Sequence, residues 1–342
     1  MRREEVRFAI KLARLAHNHG IGGLINMLGL GIASLIGSAH VPFKPMMLYV
    51  ETTTKCNLRC IMCPRSFIPR PNRDMSFEDF KMIIDQLPHP AFLVPQGIGE
   101  PLLNPDIFQI ISYSVGRGAE VSFNTNATLL TEEAARKLIL SGLQVLYISI
   151  DSANEGLYRR IRPKASLAQV IENVRNLIRI KEELGSRSPH LMARVVVMKE
   201  NLAEIPGIIR LTKSLGIDDL AIQDLVIPDP SLRSSLINKA EYELLLDYKR
   251  EAEGSGMRIK LENFNRFTKQ RGSCKSPWLS PYITVEGYVT PCCMITDPAV
   301  LNFGNVYEDS LADIWNGDRF VSFRADFSKG KVPSVCKTCP NY

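Results

Sequence analysis

After Pro45 the apolar residues alternate between two periods. Short runs rich in Val, Ile, Leu, Tyr and Met lie at 46–52, 91–96, 120–124, 144–151, 191–199 and 219–225, with the length and composition of strands. Between them, at 76–87, 105–116, 131–141, 166–184 and 203–215, apolar positions recur at helical spacing. Strand then helix, repeated, is the signature of parallel β/α units. Six units are too few to close an eight-fold barrel. The pattern therefore predicts an α/β fold, a partial (β/α)6 TIM-like barrel, whose working face is the C-terminal ends of its strands.

The alternation breaks at Pro228-Asp229-Pro230 and the Ser-rich loop behind it, with a helix at 237–254 and an extended stretch at 257–261 beyond. From 263 the chain turns to Cys, Pro, Gly and Asn with short elements. Three parts are expected: an N-terminal helical and apolar segment at 1–45, the barrel at 46–262, and a small cysteine-rich domain at 263–342. In the first part, Arg2, Arg3, Arg7, Lys11 and Arg14 interleave with Val6, Ile10, Leu12 and Leu15 as on an amphipathic helix. Gly20 to Phe43 holds no Asp, Glu, Lys or Arg, but its glycines dilute the hydrophobicity. A helical pair docked on the barrel, a membrane-surface anchor through residues 1–43, and a true span all stay open. The expected location is the cytoplasm, with that segment able to reach the inner face of a membrane.

Composition narrows the class. Among 342 residues, 45% are hydrophobic and 23% charged, as in a folded globular protein, and the formal net charge of +6 is mild. No dense Lys/Arg run stands beside exposed aromatics, so no nucleic-acid partner is expected. The eight cysteines are clustered: Cys56, Cys60 and Cys63 in one group, and Cys274, Cys292, Cys293, Cys336 and Cys339 in another. Short spacings in a chain this long read as metal ligands rather than a disulfide framework.

The first group follows the first strand as C-x3-C-x2-C. Structural zinc wants four ligands, and no histidine lies in this loop. A four-iron cubane can take three thiolates and leave one iron open for a substrate. The loop resembles that of the radical S-adenosylmethionine (SAM) superfamily. That resemblance implies a [4Fe–4S] cluster on Cys56, Cys60 and Cys63, with SAM on the open iron. Electron transfer into SAM would then give a 5′-deoxyadenosyl radical that abstracts hydrogen from an unidentified substrate. It also implies an electron donor such as flavodoxin or ferredoxin. Met62 stands where the family often has an aromatic residue, and its polarisable sulfur can still meet adenine.

Further matches follow at successive strand ends. Gly97-Ile-Gly99-Glu100-Pro101 resembles the loop that binds the SAM ammonium, although Gly-Glu-Pro is also an ordinary turn. Asn124-Thr125-Asn126 and Ser149-Ile-Asp151 match stretches whose Asn126 and Ser149 would contact SAM. Arg162 is a candidate partner for the SAM carboxylate, or else a solvated helix-end arginine. Met198 and Lys199 fall where adenine would meet backbone.

The second cysteine group can bring four thiolates together if Tyr282–Thr290 folds as a hairpin turning at Glu286-Gly287. Chemistry alone allows iron–sulfur or zinc. The surrounding Cys274-Lys-Ser-Pro-Trp278, Gly304-Asn-Val, Ile314-Trp315 and Cys336-x2-Cys339 resemble the SPASM/twitch extension of radical SAM enzymes. The resemblance implies a second [4Fe–4S] cluster on Cys274, Cys292, Cys336 and Cys339, with Cys293 spare; Cys293 in place of Cys292 is the alternative. Trp278 and Trp315 read as core packing. The expected function is a radical SAM oxidoreductase or maturase. It would act on a small molecule, lipid or protein in a two-electron oxidation or bond-forming step. Two alternatives are a ribosomal-peptide maturase making thioether or carbon–carbon crosslinks, and a zinc-stabilised, non-catalytic scaffold.

Overall fold

The computed structural model describes residues 3–88, 90–227, 229–268, 274–337 and 339–342, and for 3–18 the backbone alone. The faces expected at 2–14, and Pro228 in the expected break, lie outside those limits. The chain runs α1 (Arg3–Ile36), β1 (Met47–Val50), α2 (Phe77–Asp85), β2 (Phe92–Val94), α3 (Ile107–Gly116), β3 (Glu120–Thr125), α4 (Glu132–Leu140) and β4 (Val145–Ser149). It continues with α5 (Glu155–Ile161), α6 (Leu167–Glu183), β5 (His190–Val197), α7 (Ile205–Ser214), β6 (Asp219–Asp224), α8 (Lys239–Gly254) and β7 (Arg258–Glu262). The last part holds α9 (Ser276–Leu279), β8 (Tyr282–Ile283), β9 (Val289–Thr290), α10 (Leu311–Asn316), α11 (Asp318–Ser328) and α12 (Ser334–Lys337).

The strands form one sheet in the order β7-β6-β5-β4-β3-β2-β1-β8-β9. From β7 to β8 every neighbouring pair is parallel, and only β8–β9 is antiparallel. The six expected strands are all present, and the stretch at 257–261 adds a seventh parallel strand against β6. Alternate residues divide the work. Along β5, Leu191, Ala193, Val195 and Val197 are buried in the apolar core, while Arg194 and Val196 line the barrel cavity. Helix starts are fixed by side-chain caps: Ser76, Thr131, Asn154, Ser166 and Asn238 each accept a backbone N–H from the first turn.

The hairpin turns where expected. Gly287 has φ 89°, and a β-carbon there would overlap Asn305 and Tyr307. Its strand β8 hydrogen-bonds to β1, so the cysteine-rich part continues the barrel's own sheet. The N-terminal segment is sewn to that same part. Trp278 donates its indole N–H to Ser38 O at 2.7 Å and Trp315 donates to Phe43 O at 3.0 Å. Asn316 pairs with both backbone groups of Val41. The two tryptophans are therefore core residues that also anchor residues 38–43. Helix α1 breaks at Gly20 (φ 62°). Beyond it, Leu30 and Ala33 are buried while Ile21, Ile25, Leu28, Ile32 and Leu35 are exposed.

Candidate active site

The loop after β1 carries Cys56, Cys60 and Cys63. Burial raises all three thiol pKa values, Cys63 to about 11, because a thiolate without a cation is penalised away from water. The thiols feel one another electrostatically. Yet among the described residues no three His, Cys, Asp or Glu side chains converge as a single metal ion requires. A lone tetrahedral zinc draws its sulfurs to about 2.3 Å from one point. A cubane takes thiolates at separate corners and suits an all-sulfur donor set. The donor set fits a cluster.

Neighbouring loops brace this one. Asn57 donates to Thr128 Oγ1 at 2.7 Å and accepts from Asn126 Nδ2 at 3.0 Å. Glu100 is buried, and its carboxylate accepts from Thr125 Oγ1 at 2.7 Å and from the Asn126 N–H at 2.8 Å. Burial raises its pKa, partly offset by those donors. A β-carbon on Gly99 would overlap the carbonyl oxygens of Thr53 and Lys55, so only glycine allows this approach of loop to loop. At the end of β1, Glu51 accepts from the N–H groups of Ile98 and Val285 and is paired with Arg70. Arg70 also bonds Glu286 on the hairpin turn. One buried carboxylate thus ties the Gly97–Glu100 loop to the C-terminal hairpin.

Arg162 is buried rather than solvated. Its Nε donates to Asp151 at 2.5 Å and its Nη1 lies 3.6 Å from Cys60 Sγ. Asp151 in turn accepts from the Val196 N–H at 2.9 Å. A cavity of about 520 Å³ runs through the barrel. Cys60, Met62, Cys63, Gly97 and Arg162 line it, as do Cys293 and Met294. Gly99, Glu100, Asn126, Ser149 and Met198 are not among its lining residues. Met198 is fully buried, and its backbone N–H and carbonyl are both engaged by Asn201.

In the second group, Cys292 lies within electrostatic reach of Cys274 and Cys339, and Cys336 within reach of the same two. Cys293 lines the cavity, and it lies within electrostatic reach of Cys339 and beside Tyr49. Sequence reasoning missed Asn57, Glu51, Arg70 and Arg194. Of these, only Asn57 sat inside a recognised motif.

Comparison with known proteins agrees with this geometry. The profile described as the Radical SAM superfamily matches residues 50–212, and the iron–sulfur cluster-binding domain SPASM matches 274–340. The chain is 27% identical to a tungsten-containing aldehyde ferredoxin oxidoreductase cofactor-modifying protein of Pyrococcus furiosus, over 85% of this chain and 86% of that protein. It is 24% identical to a PqqA peptide cyclase of Xanthomonas euvesicatoria pv. vesicatoria, over 86% of this chain and 80% of the relative. Streptococcus suis SuiB bound to S-adenosylmethionine shares the fold at a TM-score of 0.65 and 17% identity, covering 86% of this chain and 72% of that one. These findings exclude the non-catalytic zinc scaffold. The chain is a member of the radical SAM superfamily, an enzyme using SAM and iron–sulfur clusters, with a C-terminal SPASM domain.

Proposed function

We propose that the enzyme abstracts hydrogen from a substrate held in the barrel cavity, between two cysteine-bound clusters, and completes a two-electron oxidation or bond-forming step. The observation that carries this reading is the cavity itself, lined by Cys60 and Cys63 and also by Cys293 and Met294, next to the second cysteine group. Cys56, Cys60 and Cys63 would hold the SAM cluster. Cys274, Cys292, Cys336 and Cys339 would hold a single auxiliary cluster, with Cys293 left to the cavity. When bound, the first cluster supplies the electron for reductive cleavage of SAM. The chain's own residues do the positioning. Met62, Gly97 and Arg162, which line the cavity, would face SAM, whereas Gly99, Glu100, Asn126, Ser149 and Met198 would shape the loops behind them. Arg162, fixed by Asp151, presents its remaining N–H groups to a carboxylate.

The cavity of about 520 Å³ would hold SAM as well as substrate, and the space left beside SAM suits a small molecule or one inserted side chain. The cofactor-modifying relative favours the first. A second reading, crosslinking within a peptide, is favoured by the likeness to a peptide cyclase. An acidic electron carrier such as flavodoxin or ferredoxin suits a chain of net charge +6. The exposed stripe Ile21, Ile25, Leu28, Ile32 and Leu35 lies in a segment apolar and long enough to enter a bilayer, which suits peripheral membrane contact. Anaerobically reconstituted enzyme with dithionite and SAM should release 5′-deoxyadenosine. Release of S-adenosylhomocysteine instead would mark a methyl transferase and end this reading. The triple variant I25S/L28S/I32S should lose binding to vesicles of anionic phospholipid, and absence of binding by the wild type removes the membrane contact.

A further inference from the structure

The lumen of a β/α barrel is ordinarily filled by branched apolar side chains. Here Asn124, Tyr147, Arg194, Gln223 and Glu262 all line the cavity. Hydrogen-bonding groups converging inside a chamber make a recognition surface rather than a core.

Arg194 determines what that surface recognises. Its guanidinium lies 3.9 Å from the centroid of the Tyr147 ring. Nη1 donates to Asn124 Oδ1 at 3.0 Å and Nη2 donates to Glu262 Oε2 at 2.9 Å. Asn124 is itself held through its backbone N–H, which donates to Gln96 Oε1 at 2.6 Å. The plane of the fork is therefore fixed on three sides. Its Nε, also buried, has no hydrogen-bond partner among the described residues. A guanidinium carries five N–H donors, and a buried donor left unmet is costly. Here Nε–H and one N–H of an adjacent Nη form the edge that binds carboxylates in bidentate fashion.

The charges around the chamber agree. Glu262 is shared with Lys260 at 2.8 Å, Asp224 is paired with Arg266, and Arg162 with Asp151. Setting those closed pairs and the thiols aside, two cations, Arg194 and Lys260, face one carboxylate, Glu262. One positive charge is left over. The two arginines also lie beside different groups. Arg162 Nη1 is 3.6 Å from Cys60 Sγ, whereas the half-buried Arg194 lies within electrostatic reach of Tyr49 and Cys293. Arg162 belongs to the SAM end and Arg194 to the end nearer the SPASM cysteines.

We propose that Arg194 anchors a carboxylate of the substrate through its Nε–H and an adjacent Nη–H, so that the enzyme acts on a carboxylic acid held beside Cys293. This rests on the radical SAM reading above and adds the substrate class to it. SAM also bears a carboxylate, so the test is made with SAM already bound.

The test uses reconstituted holoenzyme saturated with SAM under anaerobic conditions, without reductant. Affinities for 3-phenylpropionate and for its amide are measured by saturation-transfer NMR. A charge-assisted pair predicts that the acid binds about tenfold or more tightly than the amide. R194M should abolish the preference, and R194K, which keeps the charge but loses the fork, should reduce it. Equal affinities in the wild type, binding of neither probe, or a preference undiminished in both variants overturns the proposal. A preference seen only without SAM would assign Arg194 to the SAM carboxylate and overturn it equally. Should R194M fail to retain its clusters, R194K alone decides. Formation of 5′-deoxyadenosine by the wild type, assayed separately, tests the radical reading: its absence defeats that reading whatever the probes show.

Discussion

Replacing Arg70 by Met probes the joint that holds the two cysteine-bearing parts together. Arg70 is 7% and Glu51 0% exposed, and two hydrogen bonds of 3.1 and 2.6 Å join them. Arg70 also donates to Thr296 O at 3.0 Å and to Glu286. R70M removes the cation and leaves the Glu51 carboxylate buried beside the Tyr282 hydroxyl, with backbone N–H donors from Ile98 at 3.2 Å and Val285 at 3.1 Å but no positive charge. Stranding one member of a buried pair costs about 3–5 kcal/mol. At roughly 2–4 °C per kcal/mol, the melting temperature should fall by about 6–20 °C. Converting Glu51 to Gln in the same chain removes the stranded charge, so R70M/E51Q should recover to within about 2 kcal/mol of wild type. Because Glu51 holds the Gly97–Glu100 loop through Ile98, SAM should also bind more weakly to R70M than to the double variant. Anaerobic urea unfolding and SAM titration of all three proteins check this. An R70M protein within about 1 kcal/mol of wild type would refute the reasoning, as would a double variant no more stable than the single.

Three further outcomes follow from the geometry. G99A should weaken SAM binding at least tenfold, because its methyl would displace the backbone at Thr53 and Lys55; equilibrium binding to reconstituted enzyme checks it. C292A should lower the iron content per chain while C293A keeps it, and equal losses in iron analysis would contradict the division of the two thiols. Burial raises the pKa of Asp219, but hydrogen bonds from His190 and Arg258 outweigh it and bring it to about 2, below the unfolded value of about 3.9. Its contribution is full above pH 4 and disappears as pH falls through about 2. The stability gap between wild type and D219N should therefore shrink over that window, as acid-unfolding curves would show.

Much of the architecture was legible because parallel β/α units announce themselves through two alternating periods. The hairpin at Tyr282–Thr290 was equally clear, since Gly287 stands where a positive φ is needed. Other features were hidden for physical reasons. Helix α5 is short and carries Arg159 and Arg160, which left a solvated helix-end Arg162 as an open reading, yet Tyr158, Ile161 and Arg162 are all buried. Strand β7 carries Arg258, Lys260 and Glu262, the composition of a solvated segment, yet it pairs with β6 and turns Glu262 into the lumen. Arg194 was invisible for a related reason. In a barrel with a hollow centre, the face opposite the apolar layer is a binding chamber, and a polar residue on it looks like ordinary alternation. Glu51 and Arg70 are 19 residues apart, and no local pattern predicts that they meet.

Cys56, Cys60 and Cys63, the second buried and the others half-buried, are proposed to hold a cluster with one iron free for SAM, at the mouth of a chamber reaching toward a second cysteine site. Electron paramagnetic resonance of the dithionite-reduced, anaerobically reconstituted enzyme tests it most directly. A [4Fe–4S] signal should appear and should shift when SAM is added. In a C56A/C60A/C63A variant the shift should vanish while the auxiliary signal remains. A wild-type spectrum unchanged by SAM, or a SAM-dependent shift that survives the triple substitution, would contradict the account.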